Sequence, residues 1–214
     1  MITYREMKES DYPYLADFIW RKWGSSELKK NPENALYYGY MILYFELAES
    51  SAAFVPDEDG KPVGLLILSI RDGHSIDYKM FKRMMDAGAK LSETEAGAKA
   101  MRDWLDLEVQ YSGVGGPIVE KEGLDAEILL FINDEEHRGK GIGSGMFTYA
   151  AKYLHDQGCK TFYLQSEECS DHDYYPTVRN MRELSRRKSH VDIGDVKDTD
   201  LFIYCDTVEN QMNM

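Results

Sequence analysis

Apolar and polar side chains alternate over residues 2–7, with Ile2 and Tyr4 on one side, which is the period of a short strand with one buried face. A helix is predicted next. Ser10 or Asp11 caps it, Pro13 is tolerated in its first turn, Tyr14, Leu15, Phe18 and Ile19 recur at helical spacing, and Gly24 ends it. Over residues 33–47, Leu36, Tyr37, Tyr40, Met41, Tyr44 and Phe45 form a broad apolar and aromatic stripe, predicting a second amphipathic helix. Its tyrosines read first as core, with the lining of a substrate cleft as the alternative. Residues 51–56 and 62–70 flank Asp59-Gly60, a dipeptide suited to a tight hairpin. The second of these strands is almost continuously apolar, as expected when both faces are covered.

Residues 71–123 carry helical signals at Met80, Phe81, Met84 and Met85, an Ala-rich run, then Trp104, Leu105 and Leu107. They read as an inserted helical pair over about 72–123, with Gly113, Gly115, Gly116 and Pro117 expected to break any helix. A dense apolar strand follows at 126–132, then a polar Gly-rich turn, then a helix with Phe147, Ala150, Ala151 and Leu154 on one face and Gly158 at its end. A strand at 161–164, a helix at 176–188 and two strands at 190–193 and 201–205 complete the reading. The order is mixed α/β, read as one domain over 1–214.

Composition narrows the function. Three scattered cysteines, Cys159, Cys169 and Cys205, suit a reducing compartment, with the cytoplasm as the default. No apolar run is long enough to span a bilayer, and the first residues lack the basic and apolar regions of an export signal, so no membrane partner is expected. A formal charge of -13 disfavours nucleic acid and favours a cationic small molecule or a basic peptide as partner. His155, Cys159, Cys169, His172 and His190 form no tight ligand pair, so no metal site is expected.

The chemistry concentrates after the strand at 126–132. A strand, a Gly-rich turn and a helix start together make a phosphate cradle: the first helical amides lack intrahelical partners, the helix dipole adds positive potential, and glycines admit an anion to the backbone. Lys140 is followed by Gly141 rather than by Lys-Ser/Thr order, so the Walker loop does not fit. The dinucleotide pattern fails too, because Ser144 or Met146 stands where its third glycine belongs. Arg138, Gly139, Lys140, Gly141, Ile142 and Gly143 match the Gln/Arg-x-x-Gly-x-Gly/Ala signature, and here the chain resembles the GNAT superfamily of N-acetyltransferases.

That resemblance implies a mostly antiparallel sheet of about seven strands, flanked by helices and splayed between the strands at 126–132 and 161–164. It implies acetyl-CoA as co-substrate in the splay, pantetheine against the backbone at Phe131 and Ile132, and pyrophosphate on the amides from Arg138 to Ser144. It also implies direct transfer to a primary amine, which must lose a proton before it attacks. Glu127 lies eleven residues before Arg138, the offset of the general base in the histone-acetyltransferase branch, and apolar neighbours would raise its pKa. A water ordered by Glu167 or Glu168 is the alternative base. The family's thiolate-protonating tyrosine falls at Tyr175 or Tyr174, although the usual Asn and Tyr-Glu-x-x-Gly-Phe are replaced here by a segment with Pro176. Arg179, Arg182, Arg186, Arg187 and Lys188 read as a solvated helix face, with contact to the cofactor's 3′-phosphate as the lesser reading. The 72–123 insertion is expected either to cap the acceptor cleft or to serve as a stabilising or homodimer-forming appendage. A non-catalytic acyl-CoA sensor of the same fold is the rival reading.

Overall fold

The computed structural model describes residues 2–137 and 139–214, with the backbone alone at Glu135. Strand β1 (Ile2–Glu6) leads into α1 (Tyr12–Trp23), a short α2 (Ser26–Lys29) and α3 (Pro32–Ala48). Asp11 does not cap α1 with its side chain. Its carboxylate instead accepts from the Lys8 amide at 2.8 Å and pairs with Arg5 at 2.7 Å.

Strands β2 (Ala52–Glu58), β3 (Lys61–Pro62) and β4 (Gly64–Ile70) follow. Asp59 and Gly60 adopt φ of 54° and 87°, the left-handed pair that lets the hairpin turn in two residues. Helices α4 (Tyr78–Leu91) and α5 (Glu95–Glu122) occupy the stretch before β5 (Ala126–Asn133). After β5 come α6 (Ile142–Asp156), β6 (Thr161–Glu167), a single turn α7 (Tyr174–Thr177), β7 (Arg182–Lys188), β8 (Asp200–Thr207) and α8 (Val208–Met212).

The strands form one sheet in the order β1-β2-β4-β5-β6-β8-β7, with β3 beside β2. Among the described residues, only β5 and β6 pair in parallel; the other pairings are antiparallel. One core lies under α1, α3, α4 and α5, built on Leu15, Ile19, Met41, Leu43, Leu65, Ile67 and Trp104. The other lies under α6 and α8, built on Leu66, Leu68, Met146, Phe147, Phe162 and Phe202. Because β4 faces both cores, it is apolar on both sides. No helix among the described residues is long and apolar enough to cross a membrane.

Three expectations about local structure need correction. Helix α5 runs straight through Gly113, Gly115, Gly116 and Pro117. Each glycine costs a helix about 1 kcal/mol, but the buried stripe Trp104, Leu107, Tyr111, Gly115, Val119 continues across them at helical spacing, and tertiary burial wins. The predicted helix over 176–188 is instead a single turn followed by strand β7. Its basic residues decorate an exposed sheet edge, where charge protects unpaired backbone: Arg186 and Lys188 reach Asp200 at 2.6 and 2.9 Å, and Arg182 reaches Glu122 at 2.6 Å. Arg187 donates to the Gln110 carbonyl, and Arg179 is buried against Gln211 at 2.7 Å. The strand expected at 190–193 is reduced to an isolated bridge between Ile193 and Val196.

Candidate active site

The site begins with a fault in β5. Its pairing with β4 slips at Leu129: Ile67 faces Leu130 while Leu68 faces Ile128, leaving Leu129 as a bulge. Before the bulge, Ala126 and Ile128 pack into the core under α6, so Glu127 points to the α3–α5 side. After it, Leu130 and Ile132 pack on the α3 side and Phe131 joins the α6 side. The bulged strand also parts from β6. The two pair only over Ala126–Ile128 and Phe162–Leu164, although they extend to Asn133 and Glu167. Asp125 pins the closed end, its carboxylate accepting from the amides of Lys160 (2.7 Å) and Thr161 (3.0 Å).

A cavity of about 1050 Å³ passes through the resulting gap. At its loop end, on the α6 side, lie Phe131, Asn133, Gly143, Tyr174 and Tyr175; its other end, on the α3–α5 side, has Tyr38, Glu46, Trp104 and Glu108; β5 and β6 contribute Glu127, Tyr163, Gln165 and Glu167.

The first end has the features of an anion cradle. Gly139 and Gly141 adopt φ of 77° and 75°, backbone that an L side chain strains to reach. Gly141 caps α6 without a side-chain bond, and the amides of Gly143 and Ser144 donate to no described residue. A Cβ at Gly143 would stand 2.8 Å from Asn133 Nδ2, and one at Gly145 would collide with the Tyr4 hydroxyl. Ile142 is buried beneath the loop, with its carbonyl accepting from Tyr4 at 3.3 Å. Lys140 is half-exposed and stands 4.0 Å from Glu58, which also holds His137 at 2.9 Å. His137 bonds Asp134 at 3.1 Å with its other nitrogen, so it bolts the loop to the sheet. Arg138 lies outside the described residues. The left-handed glycines, together with the Gly143 and Ser144 amides that donate to no described residue, fit a diphosphate group.

Glu127 accepts two hydrogen bonds, from the Tyr163 hydroxyl at 2.5 Å and from Gln165 Nε2 at 3.1 Å. Tyr163 is its direct register partner on β6, one rung before the pairing ends at Ile128 and Leu164. Burial pushes the Glu127 carboxyl up from its ordinary value, and the two donors only partly offset this. Glu167 is also raised by burial, while accepting from Tyr111 at 3.1 Å and Ser170 at 2.9 Å. Glu168 is exposed and turned to the Asp200 amide (3.1 Å) and to Lys188 (3.9 Å).

The two tyrosines sit under α6. The Tyr174 hydroxyl lies 3.3 Å from Ser144 Oγ, and its ring stacks on Phe131 with centroids 6.4 Å apart. Tyr175 packs against Phe147, Tyr174 and Tyr204, and burial drives its phenol well above the usual tyrosine range.

Two carboxylates were not among the residues singled out in the sequence. Glu46 on α3 is 8% exposed, and Glu108 on α5 faces it across the same cavity. Burial raises both, Glu108 to about 8, and Glu127 and Glu167 push each of them further by like charge. A signal existed: Glu46 falls one turn after Ile42 on an apolar helix face, and Glu108 one turn after Trp104. Among the described residues, no three His, Cys, Asp or Glu side chains are placed to hold a metal ion.

The model of the acetyltransferase (GNAT) family matches residues 12–175. A search of curated proteins found no match. Among solved structures, arylalkylamine N-acetyltransferase 2 from Aedes aegypti superposes with a TM-score of 0.61 at 13% identity, covering 97% of this chain and 99% of that one. The Drosophila melanogaster polyamine N-acetyltransferase gives 0.56 at 11% identity, covering 97% and 100%. A GNAT acetyltransferase from Elizabethkingia anophelis with acetyl-CoA bound gives 0.51 at 12%, covering 96% and 97%. The fold is theirs, the glycine loop and the opened strand pair stand in it together, and this chain belongs to the GNAT family of acetyltransferases.

Proposed function

We propose that the protein transfers an acetyl group from acetyl-CoA to the nitrogen of an amine. Acetyl-CoA, when bound, would supply a thioester carbonyl for the amine to attack. The backbone from Gly139 to Ser144, together with Arg138, would hold the diphosphate, and the unpaired stretch of β5 at Phe131 and Ile132 would take the pantetheine arm.

Glu127 takes the proton that the incoming ammonium must lose. Its raised pKa brings its basicity closer to that of the amine than an ordinary carboxylate's, while Tyr163 and Gln165 hold it in one orientation. Tyr174 or Tyr175 returns a proton to the departing thiolate; both are phenols at the loop end of the cavity. The observation that supports the reading is the cavity that is lined both by Gly143, at the end of the glycine loop, and by the Glu127 carboxylate, where β5 and β6 part. An amine acceptor is further supported by relatives of the same fold whose names specify polyamine, agmatine and arylalkylamine acetylation.

The test is to incubate the purified protein with acetyl-CoA and a panel of amines while following free thiol. Amine-dependent thiol release is the expected result. Tight CoA binding with no release from any amine would refute the catalytic reading and leave a sensor.

A further inference from the structure

The same cavity has, on its α3–α5 side, an acidic end that a single transferred amine does not need. Glu46 and the Tyr38 hydroxyl line it. Both residues are more than nine-tenths buried, at 8% and 7% exposed, and neither side chain has a hydrogen-bond partner among the described residues. Glu108 faces them from α5, and Ile42, Phe45 and Trp104 make the intervening wall apolar, the two rings edge to face at 4.8 Å. Among the described lining residues only Lys22 and Arg71 carry a fixed positive charge. Arg71 is engaged with the Leu124 carbonyl at 3.2 Å, and neither forms an ion pair with Glu46 or Glu108.

Burying carboxylates without counter-charge is costly, and several in one cavity compound the cost. Evolution normally removes such groups from a core unless something else is there to pair with them. A metal ion would need several oxygens gathered at about 2.0–2.6 Å, and the described residues supply no such cluster. An organic cation needs less: a carboxylate, a hydroxyl, and aromatic or aliphatic walls for its methylene chain.

We infer that this end is a subsite for a second ammonium group, so that the acceptor is an α,ω-diamine or polyamine with one nitrogen at Glu127 and the distal one between Glu46, Glu108 and Tyr38. The assignment rests on the reading of Glu127 as the reacting end. It accounts for four glutamates, Glu46, Glu108, Glu127 and Glu167, converging on one cavity from α3, α5, β5 and β6. It also gives α5 a role, since that helix supplies Glu108 and Trp104 and so closes the acceptor end.

The experiment compares α,ω-diamines of three to eight carbons and spermidine with n-alkylamines of matching length. Two readouts are taken: thiol release under saturating acetyl-CoA, and calorimetric titration into the protein–CoA complex. The expected result is a diamine preference of about 30-fold or more in kcat/KM and in affinity at the best length, the loss that follows when one partner of a buried charge pair is missing. E46Q and E108Q, each nearly isosteric, should reduce that ratio at least tenfold in both readouts, with CoA affinity reporting that the variants are folded. A wild-type ratio near one, or a ratio that survives both substitutions together, would overturn the subsite. Diamine-selective binding without turnover would instead keep the subsite and defeat the assignment of Glu127. Turnover of monoamines and diamines alike would do the reverse.

Discussion

Replacing Glu127 by Gln removes one charge and one proton acceptor while keeping the side chain's shape. The neighbourhood can absorb the change. Glu127 now accepts from Tyr163 at 2.5 Å and from Gln165 Nε2 at 3.1 Å, so an amide there that keeps its oxygen on Tyr163 would set its NH2 group against that of Gln165. A flip of the Gln165 amide resolves the clash, because Gln165 Oε1 is buried and without a partner among the described residues and would then accept from the new amide. The fold and the glycine loop should therefore persist, and CoA affinity should stay within about twofold. Turnover should not, since loss of a positioned general base costs about 10²–10⁴ in rate. The pH profile is the sharper readout. Glu127 must be ionised to accept a proton, and burial raises its pKa, so wild-type kcat/KM should climb with pH through that raised value and then level. In E127Q this limb should vanish. A variant within about threefold of wild type, or one that is slow yet keeps the limb, would refute the assignment and move attention to a water held by Glu167.

Gly143→Val should weaken CoA binding by about tenfold or more, measured by calorimetry, because its side chain enters the hollow and meets Asn133, 2.8 Å from the new Cβ. An unchanged Kd would remove the diphosphate from this loop. Gly113→Ala should stabilise the protein by about 1 kcal/mol in denaturant unfolding, since Gly113 is mid-helix, exposed and free of neighbours within 4 Å; destabilisation would mean that α5 does not run through the glycines. The cavity glutamates are expected to set a pH dependence of stability. The folded state keeps a proton on Glu108 up to about 8, whereas the unfolded chain loses it near 4.5. That contribution is therefore complete below about 4.5 and is lost as pH rises through about 8. At about 1.4 kcal/mol per pKa unit, shared among coupled groups, a few kcal/mol should disappear between pH 5 and pH 9. E108Q should flatten the curve, and a wild-type melting temperature that rises over this range would contradict the cluster.

Much of this architecture was legible in residue patterns, for reasons that particular elements make plain. The Asp59-Gly60 turn, the apolar β4 and the strand–loop–helix around Gly139–Gly143 are local features, encoded by residues a few positions apart. What failed was non-local. The glycines of α5 look like a break until Gly115 is seen packing 3.4 Å, measured from its would-be Cβ, from Gln165. The charges of β7 follow a helical spacing by accident, and only pairing with β8 makes them a strand edge. Glu46 and Glu108 were overlooked because each is one acid in an apolar stripe, and their meaning appears only when α3 and α5 close on the same space.

The bulge at Leu129 explains why these pieces form one site. With unbroken alternation, Glu127, Leu129 and Phe131 would share a face of β5. The extra residue reverses the second half of the strand, so Phe131 turns to Phe147 and Tyr174 under α6 while Glu127 stays toward α3 and α5. The same slip ends the pairing with β6 after Ile128, which leaves main-chain groups of β5 free along the gap. One inserted residue thus separates the loop-side wall from the acidic wall and opens the passage between them. Deleting Leu129 should restore the alternation and close the gap, abolishing CoA binding and turnover together even though no charged or loop residue has been touched.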